Sequence, residues 1–407
     1  MATNISGRRT RSLQTGQHSL NMLDEIVLVD GNLEDAGFLA WLVAIPSQAT
    51  SNQRFSYWID DWLPSSDTVD GAVAGTTATS IKMDTILAFS PNWLWMNART
   101  GEIYHIDSVS EGESLVTVKR EVGRNTTDST GTAAAAILDA DVWIRLTPTQ
   151  GEVSRRQNAL STTPVEVFNY TEKMRWEITM SDWQRKTKHE TGNDWPYQVD
   201  KALRQARKDI NGWLYLGERN TKTIGGQTKY MAGGLDFYIA TNIHAASGTL
   251  HEYEFDQWMV DEAMRFGPRQ KNMPSSMNVI KAVNQMTKDR TRIYLPVAKA
   301  EGRIDIGIWV QDYTTPTGRT VSMMEDRFLT ENLNGHARVI DPQVVKLRHF
   351  DGDGLSGEIH LIEGTQDVDS DDYSDTIIGD IGLEVGPEQH HGKLSGVTQG
   401  ASGRSVS

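Results

Sequence analysis

From Asp194 onward, Val199, Leu203, Ala206, Ile210, Trp213 and Gly217 recur at intervals of 4, 3, 4, 3 and 4. That spacing keeps one seam of a helix on a single side, and it predicts a rod of about 36 Å around which the rest must be arranged. Asp194 suits the N-cap, and Pro196 suits the first turn, where its missing N–H is not needed. The other faces of this helix, placed over 195–218, carry Lys201, Arg204, Arg207 and Lys208. Such a cluster is either a solvated face or a contact for nucleic acid or for an acidic neighbouring subunit.

The formal net charge of −14 over 407 residues is unevenly spread. Residues 351–407 hold twelve acidic side chains against Lys393 and Arg404, which is −10 and leaves −4 for the first 350. The first twenty residues carry Arg8, Arg9 and Arg11 and no acid. A basic N-terminal arm, a candidate inter-subunit contact, and an acidic C-terminal segment predict interacting ends more than a uniformly steering enzyme surface. The segment SLQTGQHSLNML after the arginines lacks a signal-peptide core, and the longest apolar run, Phe38 to Ile45, is eight residues. Neither export nor a membrane span is expected. With no cysteine, thiolate metal sites, cysteine nucleophiles and disulfides are excluded, which agrees with a chain made and kept in a reducing cytoplasm.

Residues 1–24 are polar and lack any period, so they predict an arm that orders on a neighbouring surface. The aromatic run FSYWIDDWL (55–63) ends at Pro64 and leads into a Ser/Asp/Gly/Ala/Thr stretch to Ser80, an exposed β-arm with a mobile tip. Between 81 and 150, IKMDTILAF, NWLWMNA, GEIYHIDSV, SLVTVKREV and DVWIRLT read as five short strands of a small inserted β-barrel or sandwich. The strand-like run 165–183 brings the chain back. After Gly225, Gly226, Gly233 and Gly234, two further helices are expected, with Phe255, Met259, Ala263 and Phe266 on the face of one and Met277, Ile280, Val283 and Thr287 on that of the other. Strands at RIYLPVA, at Ile304, Ile306, Ile308 and Val310, and at TVSMMEDRF complete a mixed α/β domain. The closing SGVTQGASGRSVS reads as a mobile low-complexity tail.

The chemistry-bearing signatures GxxxxGK[ST], HExxH and GxSxG are absent. His390 and His391 are adjacent, so a helix could not aim both rings at one ion. Asp367, Asp369 and Asp371 match the first ligand positions of a calcium loop, but Asp372 stands where glycine is needed and Ile378 where glutamate is, so an acidic solvent loop is expected. Asp351-Gly-Asp-Gly reads as a turn. Asp60 and Asp61 sit on opposite faces if in a strand, a poor acid–base couple. Trp58, Trp93, Trp143, Trp213, Trp258 and Trp309 fall within helix or strand patterns, where core packing is the default.

The order of these pieces resembles the SU10-type phage major head protein family, with its HK97-fold capsid subunits. The resemblance is carried by GEIYHIDSVSEGESLVTVKREVG (101–123), PVEVFNYTEKMRWEITMSDWQ (164–184), the long helix running into LGERN, MAGGLDFYI (231–239), RTVSMMEDRFLTENLNGHARVIDPQVV (319–345) and GDIGLEVGPEQHHGKLSGV (379–397). Together they cover roughly three quarters of the chain.

The resemblance implies an α+β, HK97-like fold. Its parts would be an N-terminal arm (1–54), an E-loop with its return (55–82 and 151–185) and an inserted β-module (83–150). A peripheral domain (186–224 and 341–390) would carry the spine helix, followed by an axial domain (225–340) and a mobile tail (391–407). It implies a virion shell protein, assembled in the host cytoplasm into hexamers and pentamers around double-stranded DNA, held non-specifically. Scaffold, portal and cement proteins are the further partners it implies, with no membrane, cofactor, metal or catalytic residue. The residues alone leave open a carbohydrate-active or carbohydrate-binding protein using tryptophan platforms, and a non-shell virion component.

Overall fold

A computed structural model describes residues 37–72, 78–120, 122, 136–152, 160–187, 194–290, 312–351 and 357–401. The fold is mixed α/β and divides into two compact units, 58–167 and the remainder of the chain. The chain passes from one to the other in Arg54–Ile59 and Val165–Tyr170, which pair as a two-stranded ribbon.

In the larger unit the long helix spans Asp194–Leu216. It stops where two glycine backbones touch. A Cβ on Gly217 would lie 2.7 Å from the Ala232 carbonyl oxygen, and the Gly234 N–H donates to the Gly217 carbonyl at 2.8 Å. The seam read from spacing holds for the first half, where Val199, Ala202 and Leu203 pack beside Ile178 and Ile377. Toward its C-terminus the helix is enclosed on more than one side, so Asn211, Gly212, Leu214 and Tyr215 are buried as well.

The enclosing elements include the helix Gly37–Val43, whose Phe38 and Leu42 are fully buried against Ile210, Leu214 and Tyr215. Residues 37–54 were expected in the N-terminal arm. The apolar run starting at Phe38 instead supplies core through Phe38, Leu39 and Leu42, which gain more from burial than from lying on a surface. Residues 1–36, with Arg8, Arg9 and Arg11, lie outside the described residues.

The sheet under this helix runs Gln48–Thr50, Val345–Phe350, Asp372–Val385, Glu172–Ser181, with His360–Ile362 added on Asp372–Val385. Asp372–Val385 pairs antiparallel with Glu172–Ser181 over ten positions, from Glu172 opposite Ile381 to Ser181 opposite Asp372. The 172–181 run, expected as E-loop return, is thus a strand of the spine-helix sheet.

A second sheet is ordered Ile243–His251, Gly392–Ala401, Ala337–Val339, Gln270–Ser275, Thr320–Glu325, Asp312–Thr314. The expected mobile tail is corrected here. Gly392–Ala401 lies inside this sheet, parallel to Ile243–His251 and antiparallel to Ala337–Val339, with Leu394 and Val397 buried. Its small residues are a packing requirement, since a Cβ on Gly400 would run into the backbone of Ala282 in the helix Met277–Arg290. Residues 402–407 and the strand expected at 304–310 lie outside the described residues.

The first helix on this sheet buries Phe255, Met259 and Ala263 as expected, and the second buries a face offset from that expected. Glu252–Trp258 continues as a π-helical turn, Met259–Ala263, and Phe266, beyond the end of that turn, is exposed. In Met277–Arg290 the buried stripe is Val279, Ala282, Val283 and Met286, while Met277 faces outward.

The smaller unit is a six-stranded antiparallel sheet ordered Ser66–Thr68, Val142–Pro148, Trp93–Asn97, Ile103–Ser110, Leu115–Lys119, Ser80–Lys82. Its two outer strands meet through the bridge between Val69 and Met83, so the sheet returns to its own starting edge. Ser66–Thr68 and Ser80–Lys82, expected in an exposed arm, therefore belong to this unit. Stacked pairs fill its interior, Phe89 on Trp95 at 4.0 Å and Tyr104 on Trp143 at 4.2 Å between centroids.

Candidate functional site

A buried ionisable group is where chemistry or a structural tie resides. Asp326 is fully buried. Its carboxylate caps the helix Arg327–Asn332 by accepting the Phe328 N–H at 2.9 Å. It also accepts from Asn211 Nδ2 at 3.0 Å, the Tyr215 hydroxyl at 3.2 Å and the Phe38 N–H at 3.1 Å. Burial pushes this carboxyl above its ordinary range despite those donors.

Asp236 receives two cations. The guanidinium of buried Arg338 forks onto both its oxygens, and Lys393 Nζ donates to Oδ2 at 2.8 Å. Burial alone would raise the carboxyl; Arg338 and Lys393 hold it below its usual value.

Around Asp341 the adjacent histidines separate. His390 Nδ1 lies 2.7 Å from Asp341 Oδ2, and the buried His391 ring accepts the Asp341 N–H at 3.4 Å. Burial takes His391 down to about 3. Lys271, also buried, is brought to about 8 and donates to the carbonyls of Ala263 at 2.8 Å and His390 at 2.6 Å.

Within the smaller unit, Arg120 grips Glu102 at 2.9 and 2.7 Å, and Arg99 grips Asp141 at 2.6 and 2.7 Å. Arg99 leads in holding the Asp141 carboxyl at about 2. These groups tie separate stretches of chain to one another, while Asn211 Oδ1 and His391 Nε2 are buried without a hydrogen-bond partner among the described residues.

Among the described residues, no three His, Asp or Glu side chains gather as a metal site, and no helix is long and apolar enough to cross a membrane. Asp60 and Asp61 are exposed and bonded to the backbone of the residues that follow them. Gly352, Gly354 and Gly357 have the spacing GxGxxG, but the flanking elements are two strands, Val345–Phe350 and His360–Ile362, where a dinucleotide site needs a strand and then a helix.

The basic cluster is partly neutralised. Arg204 pairs with Asp200 at 2.8 Å and Lys208 with Glu331 at 2.7 Å, while Lys201 and Arg207 form no ion pair among the described residues. At about 100° per residue, Lys201, Arg204 and Lys208 fall within about 60° of one another, and Arg207 lies about 60° beyond Arg204. Lys201 lines a groove of about 580 Å³ formed by strand residues 177–181 and the helix stripe Gln198, Lys201, Ala202 and Gln205. Trp143 and Trp258 are core residues, and Trp93 and Trp213 are half-buried. Trp309 lies outside the described residues. Trp58 is the exception, 67% exposed, and it joins Trp62 at 92% and Trp183 at 81% as large apolar surface.

Sequence reasoning missed Asp236, Asp326 and Arg338. Spacing carries no signal for them, because each partner is a hundred or more positions away; the Asp-Arg-Phe-Leu start of a helix, with Asp as N-cap, was the one local cue.

A fold of buried ties and exposed aromatic surface has relatives of known structure. The fold matches a chain of the Cyanophage A-1(L) capsid asymmetric unit at 10% identity, over 96% of this chain and 100% of that one, with a TM-score of 0.53. Chains from Microbacterium phage Oxtober96 (9% identity, 95% and 98% covered, TM-score 0.45) and Mycobacterium phage Cain (9%, 96% and 95%, 0.42) are also similar. No curated protein sequence matches. The family model described as SU10 major capsid protein matches residues 9–398. With nearly its whole length matched, the chain belongs to the SU10 major capsid protein family, the proteins that form a phage head shell.

Proposed function

We propose that this subunit tiles an HK97-like icosahedral head as hexamers and pentamers enclosing double-stranded DNA, with the unit 58–167 as an inserted barrel on the E-loop that laps an adjacent subunit. The observation that carries the reading is a self-contained unit reached through one two-stranded ribbon, with Trp58 and Trp62 exposed at its entry. Isolated exposed tryptophans are costly in water and typical of the anchors in protein interfaces. The spine-helix sheet takes the role of peripheral domain and the six-stranded sheet that of axial domain. Arg8, Arg9 and Arg11 would extend over a neighbour.

The ion pairs of Arg204 and Lys208 favour a protein-contact role for the basic cluster over a DNA-gripping one. Changing all four basic residues to Gln should lower assembly yield without a separate loss of genome retention. Replacing residues 60–163 by a short Gly/Ser linker tests the main reading by electron microscopy and sedimentation. The expected result is a folded, soluble subunit that no longer builds shells; heads of normal size from that variant would contradict it.

A further inference from the structure

Beyond the spine helix the chain forms a separate two-stranded ribbon, Asn220–Ile224 with Gln227–Met231. Gly225 and Gly226, at φ +62° and +78°, make the tight turn between them, and the register sets Lys222 directly opposite Lys229. Like charges at facing positions repel, so this pair destabilises the ribbon of an isolated subunit. Ile224, two residues from Lys222, lies on the same face and is 47% exposed. Both lysines are exposed and form no ion pair among the described residues. Glu218, at the foot of the ribbon, is the one acid of residues 218–231, against Arg219, Lys222 and Lys229.

The opposite chemistry lies at the other end of the helix. Between His360–Ile362 and Asp372–Val385, residues 363–372 hold five acids and no base, and the loop presents Asp367, Val368 and Asp369 outward, with Val368 fully exposed. The loop is closed by the Thr365 N–H, which donates to the Ser374 carbonyl at 2.8 Å. Its base is fixed by Tyr373, whose ring meets that of Trp195, in the first turn of the spine helix, at 4.6 Å. The neighbouring cations are engaged: Lys186 pairs with Asp182 and is drawn by Asp371, and Arg185 stacks on Tyr373 at 4.2 Å. Asp367 and Asp369 form no ion pair among the described residues.

Trp195 and Leu216 stand about 32 Å apart along the helix axis, and each strand of the ribbon is about 17 Å long. Lys222 lies only two residues into that ribbon, so the lysines and the acidic loop of one chain stay apart. We propose that the Lys222/Lys229 face of the ribbon docks on the 367–369 loop of a second copy of the chain, the ammonium groups on the two carboxylates and Ile224 against Val368. Two different patches at opposite ends of one subunit make a head-to-tail contact, which passes from copy to copy and closes into a ring where the rotation permits. The inference rests on the reading of the chain as a shell subunit and names two surfaces through which its copies join.

Because the chain has no cysteine, introduced thiols report on the contact directly. Full-length Ile224→Cys/Val368→Cys protein, mildly oxidised, should give a ladder of disulfide-linked dimers, trimers and longer species on a non-reducing gel. The two single variants co-expressed should stop at dimers, and either one alone should stay monomeric. Adding Lys222→Glu and Lys229→Glu to the double-cysteine protein should lower the crosslinked fraction about tenfold, and adding Asp367→Lys and Asp369→Lys to that should restore it. No ladder, a bond within one chain, equal dimers from a single variant, or a charge swap that restores nothing would each overturn the contact. Shell formation by the unsubstituted protein is scored separately by electron microscopy. Shells without a ladder keep the shell reading and defeat this contact, and a ladder without shells does the reverse.

Discussion

Arg338 and Asp236 meet as a two-bond fork, Nε to Oδ1 at 2.5 Å and Nη2 to Oδ2 at 2.7 Å, with the guanidinium closed off from solvent. The fork ties the turn of helix Leu235–Tyr238, next to the end of the spine helix, to the sheet strand Ala337–Val339. Lys393 adds the C-terminal strand to the same carboxylate.

Removing Arg338 leaves the Asp236 carboxylate with Lys393 as its remaining cation. Arg338→Ala should therefore lower unfolding free energy by about 3–5 kcal/mol in a urea titration. Adding Asp236→Ala should restore part of the loss, because the stranded carboxylate is then gone. Strictly additive losses would mean the fork is not a coupled unit.

Asp326 has a raised carboxyl, for which burial is the main cause. A group with a folded pKa above its unfolded value holds its full stabilising contribution below the unfolded pKa, and loses it as pH climbs through the folded one. The stability of the protein minus that of Asp326→Asn should thus fall as pH rises from 4, then level off. Thermal melts of the two proteins across that range check it; a difference that rises with pH would oppose it.

His391 works at the other sign. Its ring is buried and held down at about 3, so it stabilises fully above the unfolded value of 6.5 and progressively less as pH falls toward 3. The contribution at stake is on the order of 4–5 kcal/mol. His391→Gln should flatten the acid limb of a stability-versus-pH curve between 6.5 and 3, measured by urea midpoints. An unchanged slope would show that the histidine is not the titrating group.

Gly335 sits at φ +91°, and a Cβ there would collide with the backbone of Val397. Gly335→Ala should cost about 2 kcal/mol or more, since strain in the left-handed region adds to the collision. Differential scanning calorimetry would register this as a clear drop in Tm, whereas Gly151→Ala, with open space around its Cβ, should change little.

The parts legible in the sequence were those with a local period. The spine helix and the five strands between 81 and 150 announce themselves through spacing and turn residues. Where contacts rather than period decide, the reading drifted: Phe38 and Leu42 look like part of an arm until Ile210 and Tyr215 are set against them. Gly392–Ala401 is low in complexity because a helix rests directly upon it, so its very smallness disguised a structural role. The face Phe255, Met259, Ala263 was legible, but the helix ends at Ala263, so Phe266 falls outside it. Lys208 reads as free basic charge because its partner Glu331 is far along the chain, whereas Asp200, four residues before Arg204, is a local partner.

The strand Gly392–Ala401 is inserted between Ile243–His251 and Ala337–Val339 rather than added at a border. A ribosome makes the other five strands before that vacancy is occupied, so the six-stranded layer stays divided until then. A copy interrupted before Gly392 keeps two raw edges and lacks Lys393 at Asp236. Maturity of the subunit is in this way stamped by the last stretch of chain that its layer receives.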